Sequence, residues 1–259
     1  MLLAIDVGNT NAVFAIHDGT RLLGQWRCVS DYRRTADEYY VWLKQLMEYA
    51  GIAGAIRRVI ISSTVPRVVF NLRVLSDRYF NCRPMVVGKP DVDLGVPVRV
   101  DADTRVGPDR LVNTVAGFNR FGPELVIVDF GTATTFDVVG HDGAYEGGII
   151  APGVNLSLEA LHQAAAALPH IDVTKPDRVV GTNTVACMQS GIYWGYIGLV
   201  EGLCRRIAAE RGRDMKFIGT GGLSPLFAQG SDIFDAIDTD LTIHGLVLIA
   251  SRNQESTYV

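Results

Sequence analysis

Three aspartates stand in settings where a carboxylate can work on a phosphate. Asp6 opens Asp6-Val7-Gly8-Asn9-Thr10, and Asp129 opens Asp129-Phe130-Gly131-Thr132-Ala133 with the same Asp-x-Gly-polar spacing. In such a turn the glycine lets backbone approach a ligand closely. Backbone N–H groups and a Thr hydroxyl then donate to phosphate oxygens, while the carboxylate can hold a hydrated Mg²⁺ or a monovalent cation. An ordinary hairpin turn explains either copy alone, because Gly, Asn and Asp are common turn residues. The two copies are followed by matching Asp-Gly turns, Asp18-Gly19 and Asp142-Gly143, and together they favour a nucleotide cleft between two related halves.

The third carboxylate, Asp109, lies in Gly107-Pro108-Asp109-Arg110 where a helical pattern begins. Two readings stand side by side. Asp109 is a helix N-cap next to a partly exposed Arg110, or it accepts a proton from a substrate hydroxyl while Arg110 and the helix dipole hold an anion. Gly219-Thr220-Gly221-Gly222 is similarly open between a backbone shelf for an adenine or ribose and a flexible turn. The run Gly147-Gly148-Ile149-Ile150-Ala151-Pro152-Gly153 either brings backbone close to a phosphate or packs a strand tightly on a helix.

Other chemistries find little support. No GxSxG or GxxxxGK[ST] pattern occurs, the five histidines are scattered, and the four cysteines (Cys28, Cys82, Cys187, Cys204) lack metal-ligand spacing, so free thiols and no zinc site are expected. The 259 residues hold 24 Lys+Arg against 28 Asp+Glu, a formal charge of −4, with 48% hydrophobic and 20% charged residues. That balance fits a soluble globular chain and disfavours disorder or a nucleic-acid-binding stripe. It leaves room for an anionic small molecule, whose charge a local Arg or a metal ion can offset. The apolar start turns polar at Asp6, too soon for a signal segment or a membrane span, so a cytoplasmic protein is expected.

These residues must be positioned by an alternation of strands and helices. Strands are predicted at 2–5, 12–16 and 22–28, a helix at 36–49, a strand at 57–63, a helix at 66–79 and a strand at 85–87, then an irregular stretch at 89–105. After a helix at 110–118 the opening pattern returns, with strands at 125–130, 134–139 and 144–150. Helices at 156–167, 184–211 and 241–253 follow, with a strand at 215–218 between the last two. The class is α/β with an internal repeat, divided as 1–118 and 119–259. Tyr193, Trp194 and Tyr196 on the long helix are read as core or subunit interface.

The ordered set Asp6-Val7-Gly8-Asn9-Thr10, Gly107-Pro108-Asp109-Arg110, Asp129-Phe130-Gly131-Thr132-Ala133-Thr134 and Gly181-Thr182-Asn183-Thr184 resembles type III pantothenate kinase along nearly the whole chain. The resemblance implies the fold of the acetate and sugar kinase, Hsp70 and actin superfamily: two RNase H-like halves with an ATP cleft between them. It implies ATP-dependent phosphorylation of pantothenate to 4′-phosphopantothenate, the first step of coenzyme A biosynthesis. Asp6, Val7, Gly8, Asn9, Thr10, Asn11, Ala12, Val13 and Thr132 would line ATP. Asp109 would be the proton acceptor within a substrate segment Gly107, Pro108, Asp109 and Arg110, which Thr184 completes. Asp129 would hold K⁺ or NH₄⁺, and Asp6 a Mg²⁺ through water. A homodimer with sites completed across its interface is implied, with the helix from Thr184 onward as the contact, and neither nucleic acid nor membrane as a partner. Val100 stands where many relatives carry a substrate-contacting Tyr, and Pro108 where Ala is more usual. Another small-molecule kinase of the superfamily, or a non-catalytic transcriptional accessory homologue, is the alternative.

Overall fold

The computed structural model describes residues 1–165 and 168–253. In chain order the elements are β1 (Leu2–Val7), β2 (Asn11–His17), β3 (Leu22–Val29), α1 (Ala36–Tyr49), β4 (Arg58–Ser63), α2 (Pro66–Phe80), β5 (Met85–Val86) and α3 (Pro108–Phe121). They continue as β6 (Leu125–Phe130), β7 (Ala133–Val139), β8 (Tyr145–Pro152), α4 (Val154–Ala164), α5 (Thr184–Arg211), β9 (Lys216–Thr220), α6 (Ser224–Ala228), β10 (Ala236–Ile237) and α7 (Leu241–Arg252).

The repeat is a repeat of topology. One sheet runs β3-β2-β1-β4-β5 and the other β8-β7-β6-β9-β10, each with an antiparallel three-strand meander followed by two parallel strands. The matched first strands, β1 and β6, even share a pattern: four buried residues, a half-buried Asp and a buried last residue. Such runs are apolar throughout because helices cover both faces. Along β1, Leu3, Ile5 and Val7 enter the core beneath α1 and α2 with Tyr39, Leu43, Leu72 and Leu75. Leu2 and Ala4 enter a second core with Val112 of α3 and Leu246 of α7. Side chains alternate along a strand, so Asp6 falls on the α3 and α7 face.

Local sequence fixes the helix ends. Thr35 and Glu38 form a capping box on α1: the Glu38 N–H donates to Thr35 Oγ1 at 3.3 Å and the Thr35 N–H to Glu38 Oε2 at 2.7 Å. Pro66 and Pro108 occupy first helical positions, where the missing N–H costs nothing. Asn183 caps α5 by accepting from the Ala186 N–H at 2.9 Å.

The chain divides into two compact units. Among the described residues the first comprises 1–97, 101–116 and 241–253, and the second 98–100, 117–165 and 168–240. The last helix, α7, therefore groups with the first sheet, packing on β1 and β4. The short α6 and β10 were not predicted, because five and two residues carry no readable period. Helix α3 starts at Pro108, two residues before the expected start. Helix α4 begins at Val154, and the expected end at 166–167 lies outside the described residues.

Candidate active site

The Asp6 carboxylate stands at the end of β1, half-buried, opposite Val13 on β2 and Ser62 on β4. The turn that follows is tight: the Gly8 N–H donates to the Asn11 carbonyl at 2.9 Å. Asn9, Thr10 and Asn11 are exposed, whereas Val7 and Ala12 are buried. Only the backbone of those two can therefore meet a ligand. The turn is held from two sides, by the Ser30 N–H on the Thr10 carbonyl and by Thr64, whose N–H and hydroxyl both donate to the Val7 carbonyl at 3.0 and 3.2 Å.

The matching turn in the second unit is built from more of the chain than its own motif. Asp129 is half-buried at the end of β6, beside Thr135 on β7 and Thr220 on β9. A Cβ at Gly221 would lie 2.6 Å from Asp129 Oδ1 and 2.7 Å from the Phe130 carbonyl oxygen, and Gly221 has φ +86°. Glycine is thus required there twice over, by space and by conformation. Gly153 approaches from the other side. Its N–H donates to the Thr132 carbonyl at 3.1 Å, and a Cβ would overlap that oxygen and lie 2.7 Å from the Gly131 carbonyl. Two glycine motifs that the sequence left open thus converge on the Asp129–Thr132 turn, both through close backbone packing.

Asp109 lies in the second helical position of α3, not at the N-cap. Its Oδ1 accepts from the Arg110 N–H at 2.9 Å, so it satisfies one orphan donor of the helix from inside the first turn. A Cβ at Gly107 would lie 2.6 Å from that same oxygen, so glycine there leaves the carboxylate its room. Behind it α3 is held firmly: Val112, Thr114 and Ala116 are fully buried, and Thr114 Oγ1 donates to the Arg110 carbonyl at 2.9 Å. Burial pushes the Asp109 carboxyl above its usual range, outweighing the Arg110 N–H and the Arg110 charge, which pull it down. A raised carboxyl pKa is what a proton acceptor needs. Asp6 and Asp109 belong to the same unit, and Asp6 shares the sheet face that α3 covers.

Thr184 is the exposed first residue of α5. The Gly181 backbone before it packs so closely on Ala186 that a Cβ would lie 2.6 Å from the Ala186 carbonyl carbon. Tyr193 and Tyr196 are buried and Trp194 is half-buried, all within the core of the second unit. Tyr193 and Tyr196 thus take the core reading, while Trp194 packs against that core and keeps part of its surface open. The four cysteines are free thiols. Among the described residues no helix is long and apolar enough to cross a membrane, and no group of three His, Cys, Asp or Glu gathers around a metal position. A cation at Asp6 would be held by one carboxylate with water completing the shell, a set suited to Mg²⁺, whereas Asp129 has the Phe130 carbonyl close by as a second oxygen donor.

A family model for type III pantothenate kinase matches residues 2–206. The chain belongs to the type III pantothenate kinase family. The type III pantothenate kinase of Dinoroseobacter shibae is 69% identical over 256 residues, covering 99% of this chain and 100% of that one. Among solved structures, a proposed Baf family transcriptional activator from Campylobacter jejuni is 18% identical with a TM-score of 0.62, covering 97% of this chain and 98% of its own. A proposed 2-dehydro-3-deoxygalactonokinase from Sinorhizobium meliloti is 13% identical with a TM-score of 0.61, covering 100% and 98%. At these identities the likeness concerns the fold alone, that of actin-like ATPases and sugar kinases.

The motifs at Asp6, Asp109 and Asp129 all fall at element ends, where strand or helix termini expose backbone. Sequence reasoning missed Ser62, Ser63 and Thr64. Ser62 is fully buried beside Asp6 on the parallel strand β4, and its Oγ has no hydrogen-bond partner. The signal was a hydroxyl run closing an Ile-rich strand.

Proposed function

We propose that this chain transfers the γ-phosphoryl group of ATP to the primary hydroxyl of pantothenate, giving 4′-phosphopantothenate and ADP, the first step of coenzyme A biosynthesis. Family membership supports the reaction, and the observation that carries it is the half-buried Asp109 carboxylate in the first turn of α3, held by the Arg110 N–H at 2.9 Å and given its room by Gly107. In the step, an Asp109 oxygen takes the proton of the acceptor hydroxyl and the hydroxyl oxygen bonds the γ-phosphorus. The bond from that phosphorus to the β,γ-bridging oxygen breaks, and its electron pair leaves with ADP. Gly107, Pro108 and Arg110 hold the acceptor around Asp109, and Thr184 completes its pocket. The resemblance assigns the backbone of 6–13, and separately Thr132, to ATP.

Mg²⁺ near Asp6 and K⁺ or NH₄⁺ near Asp129 would offset phosphate charge when bound. The close backbone packing of Gly153 and Gly221 around the Asp129 turn supports that assignment, since it fixes a carboxylate beside carbonyl oxygens. We infer a homodimer whose sites are completed across the interface. Exposed Val179, Val180 and Val185 support it as apolar residues flanking the start of α5 in sequence. A cytoplasmic location fits four free thiols. The test is coupled ADP release with and without pantothenate, comparing the parent with Asp109→Asn. Asn is nearly isosteric, and loss of a general base typically costs about 10²–10⁴-fold in rate. Near-parental turnover of Asp109→Asn would reduce Asp109 to a helix-end residue.

A further inference from the structure

The two copies of the repeat differ after their fifth strands. β10 is followed at once by Asp238, Thr239 and Asp240 and then α7, whereas residues 87–107 separate β5 from α3. Within that longer stretch Val98–Val100 groups with the second unit, and the chain then returns to the first at Asp101. The anchoring of these three residues is built from several kinds of bond. Val98 forms a parallel bridge with Tyr145, the buried first residue of β8, and the Arg99 N–H donates to the Tyr145 carbonyl at 2.8 Å. The strap thereby pairs with an edge strand that, among the described residues, has no other strand on that side.

The Arg99 side chain then closes on two carboxylates. Nη1 donates to Asp142 Oδ1 at 2.8 Å and to Glu146 Oε1 at 3.0 Å, and Nη2 donates to Asp142 Oδ2. The second Glu146 oxygen accepts from Arg211, the last residue of α5. Gly140 gives this carboxylate its space, since a Cβ there would overlap Glu146 Oε1. An isolated exposed ion pair contributes little. A planar guanidinium gripping one carboxylate with both arms and a second carboxylate besides is a geometric clamp, which a lysine cannot reproduce. Downstream, residues 101–105 are exposed and lack helix or strand, with one turn bond from the Thr104 N–H to the Asp101 carbonyl at 2.9 Å. That segment runs directly into Gly107 and Asp109.

We propose that Arg99 is a positioning residue for acceptor binding: its clamp on Asp142 and Glu146 holds the segment 101–107 in the one conformation in which Gly107–Arg110 receives pantothenate. The proposal rests on the reading of Asp109 as the proton acceptor. With the clamp open the segment spreads over other conformers, and apparent acceptor affinity falls by the fraction that remains competent. The chemical step, made by Asp109 on the separately packed α3, keeps its rate once acceptor is bound.

Amide hydrogen exchange on the ligand-free full-length protein, combined with steady-state kinetics, tests this. In Arg99→Ala, exchange across 101–107 should accelerate at least about tenfold and KM for pantothenate should rise about five- to tenfold, with kcat and KM for ATP within about twofold of the parent. Arg99→Lys, which keeps the charge, should show an intermediate rise and serves if the alanine variant fails to fold. The charge-swapped double variant, Arg99→Asp with Asp142→Arg, should recover part of the loss. Parental exchange over 101–107 with parental KM for pantothenate in a folded Arg99 variant overturns the proposal, as does an equal rise in KM for both substrates. If the parent itself releases no ADP in response to pantothenate, the acceptor reading has failed, and the exchange data still decide whether Arg99 orders the segment.

Discussion

Two adjacent glycines offer a controlled perturbation of the Asp129 turn. Gly221 has φ +86° and no room for a Cβ, while Gly222 has neither constraint and nothing within 4 Å of a Cβ. For Gly221→Ala the left-handed conformation costs about 1–2 kcal/mol. To reach ordinary contact at 3.4 Å, the Phe130 carbonyl must also retreat by about 0.7 Å and Asp129 Oδ1 by about 0.8 Å. The conformational cost alone corresponds to a fall in Tm of about 2–8 °C for a protein of this size. If Asp129 holds K⁺ as proposed, displacing its carboxylate by that much should weaken K⁺ activation as severely as Asp129→Ala would. The assay is thermal unfolding together with ADP release titrated with KCl at constant ionic strength. Gly222→Ala should match the parent in Tm. A Gly221→Ala protein with parental Tm and parental half-activation by K⁺ would refute both the steric argument and the cation role of Asp129.

Gly153→Ala should lower kcat/KM for ATP by about 10²-fold, because it forces the Gly131–Thr132 backbone out of place on the scale of about 1 Å; a change under threefold in a folded variant removes that turn from the phosphate site. The acid limb of kcat/KM for pantothenate should lie above the ordinary carboxylate range, since Asp109 must be deprotonated and burial raises its pKa. By linkage the same burial costs stability as pH rises from the ordinary carboxylate value through the raised one, so Asp109→Asn should be more stable than the parent at neutral pH and lose that advantage in acid; a difference in Tm independent of pH would contradict this. Mixed dimers of inactive Asp109→Asn and inactive Thr184→Val protomers should regain activity, since one site in each carries both native residues; verified heterodimers without recovery would place Thr184 on its own chain's site or give it a structural role.

The sequence made most of the framework legible, for physical reasons that can be named. β1 and β6 were readable because helices bury both faces and leave an unbroken apolar run ending in Asp. α1 and α5 were readable from their period, and a capping Thr or Asn marks the start of each. The Asp-x-Gly turns were visible as a pair, and only as a pair did they argue for phosphate. What stayed hidden was contact between distant segments. Nothing in Gly153 or Gly221 announces the carbonyls they pack against, because a required absence of a side chain has the same letter as a flexible turn. On sequence alone Asp109 read more readily as a cap, since what separates it from one is its place inside the first turn, where it is half-buried. Arg99 looked like one charge in an irregular stretch, and its partners lie 43 and 47 residues away.

The place of α7 also sets an order of events during synthesis. The helix buries Leu241, Ile243, Leu246 and Ile249 in the first unit, a contribution on the order of 6–12 kcal/mol at about 1.5–3 kcal/mol per side chain. That is comparable to the entire net stability of a typical domain. As the chain leaves the ribosome, the second unit has all of its residues by Asp240, while the first still waits for its closing helix. The unit whose sheet is made first is thus the one completed last, and until then the sheet face around Leu2, Ala4 and Ile60 has α3 but not α7 over it. Nascent chains stalled before residue 241 are therefore the ones most exposed to chaperones and to aggregation.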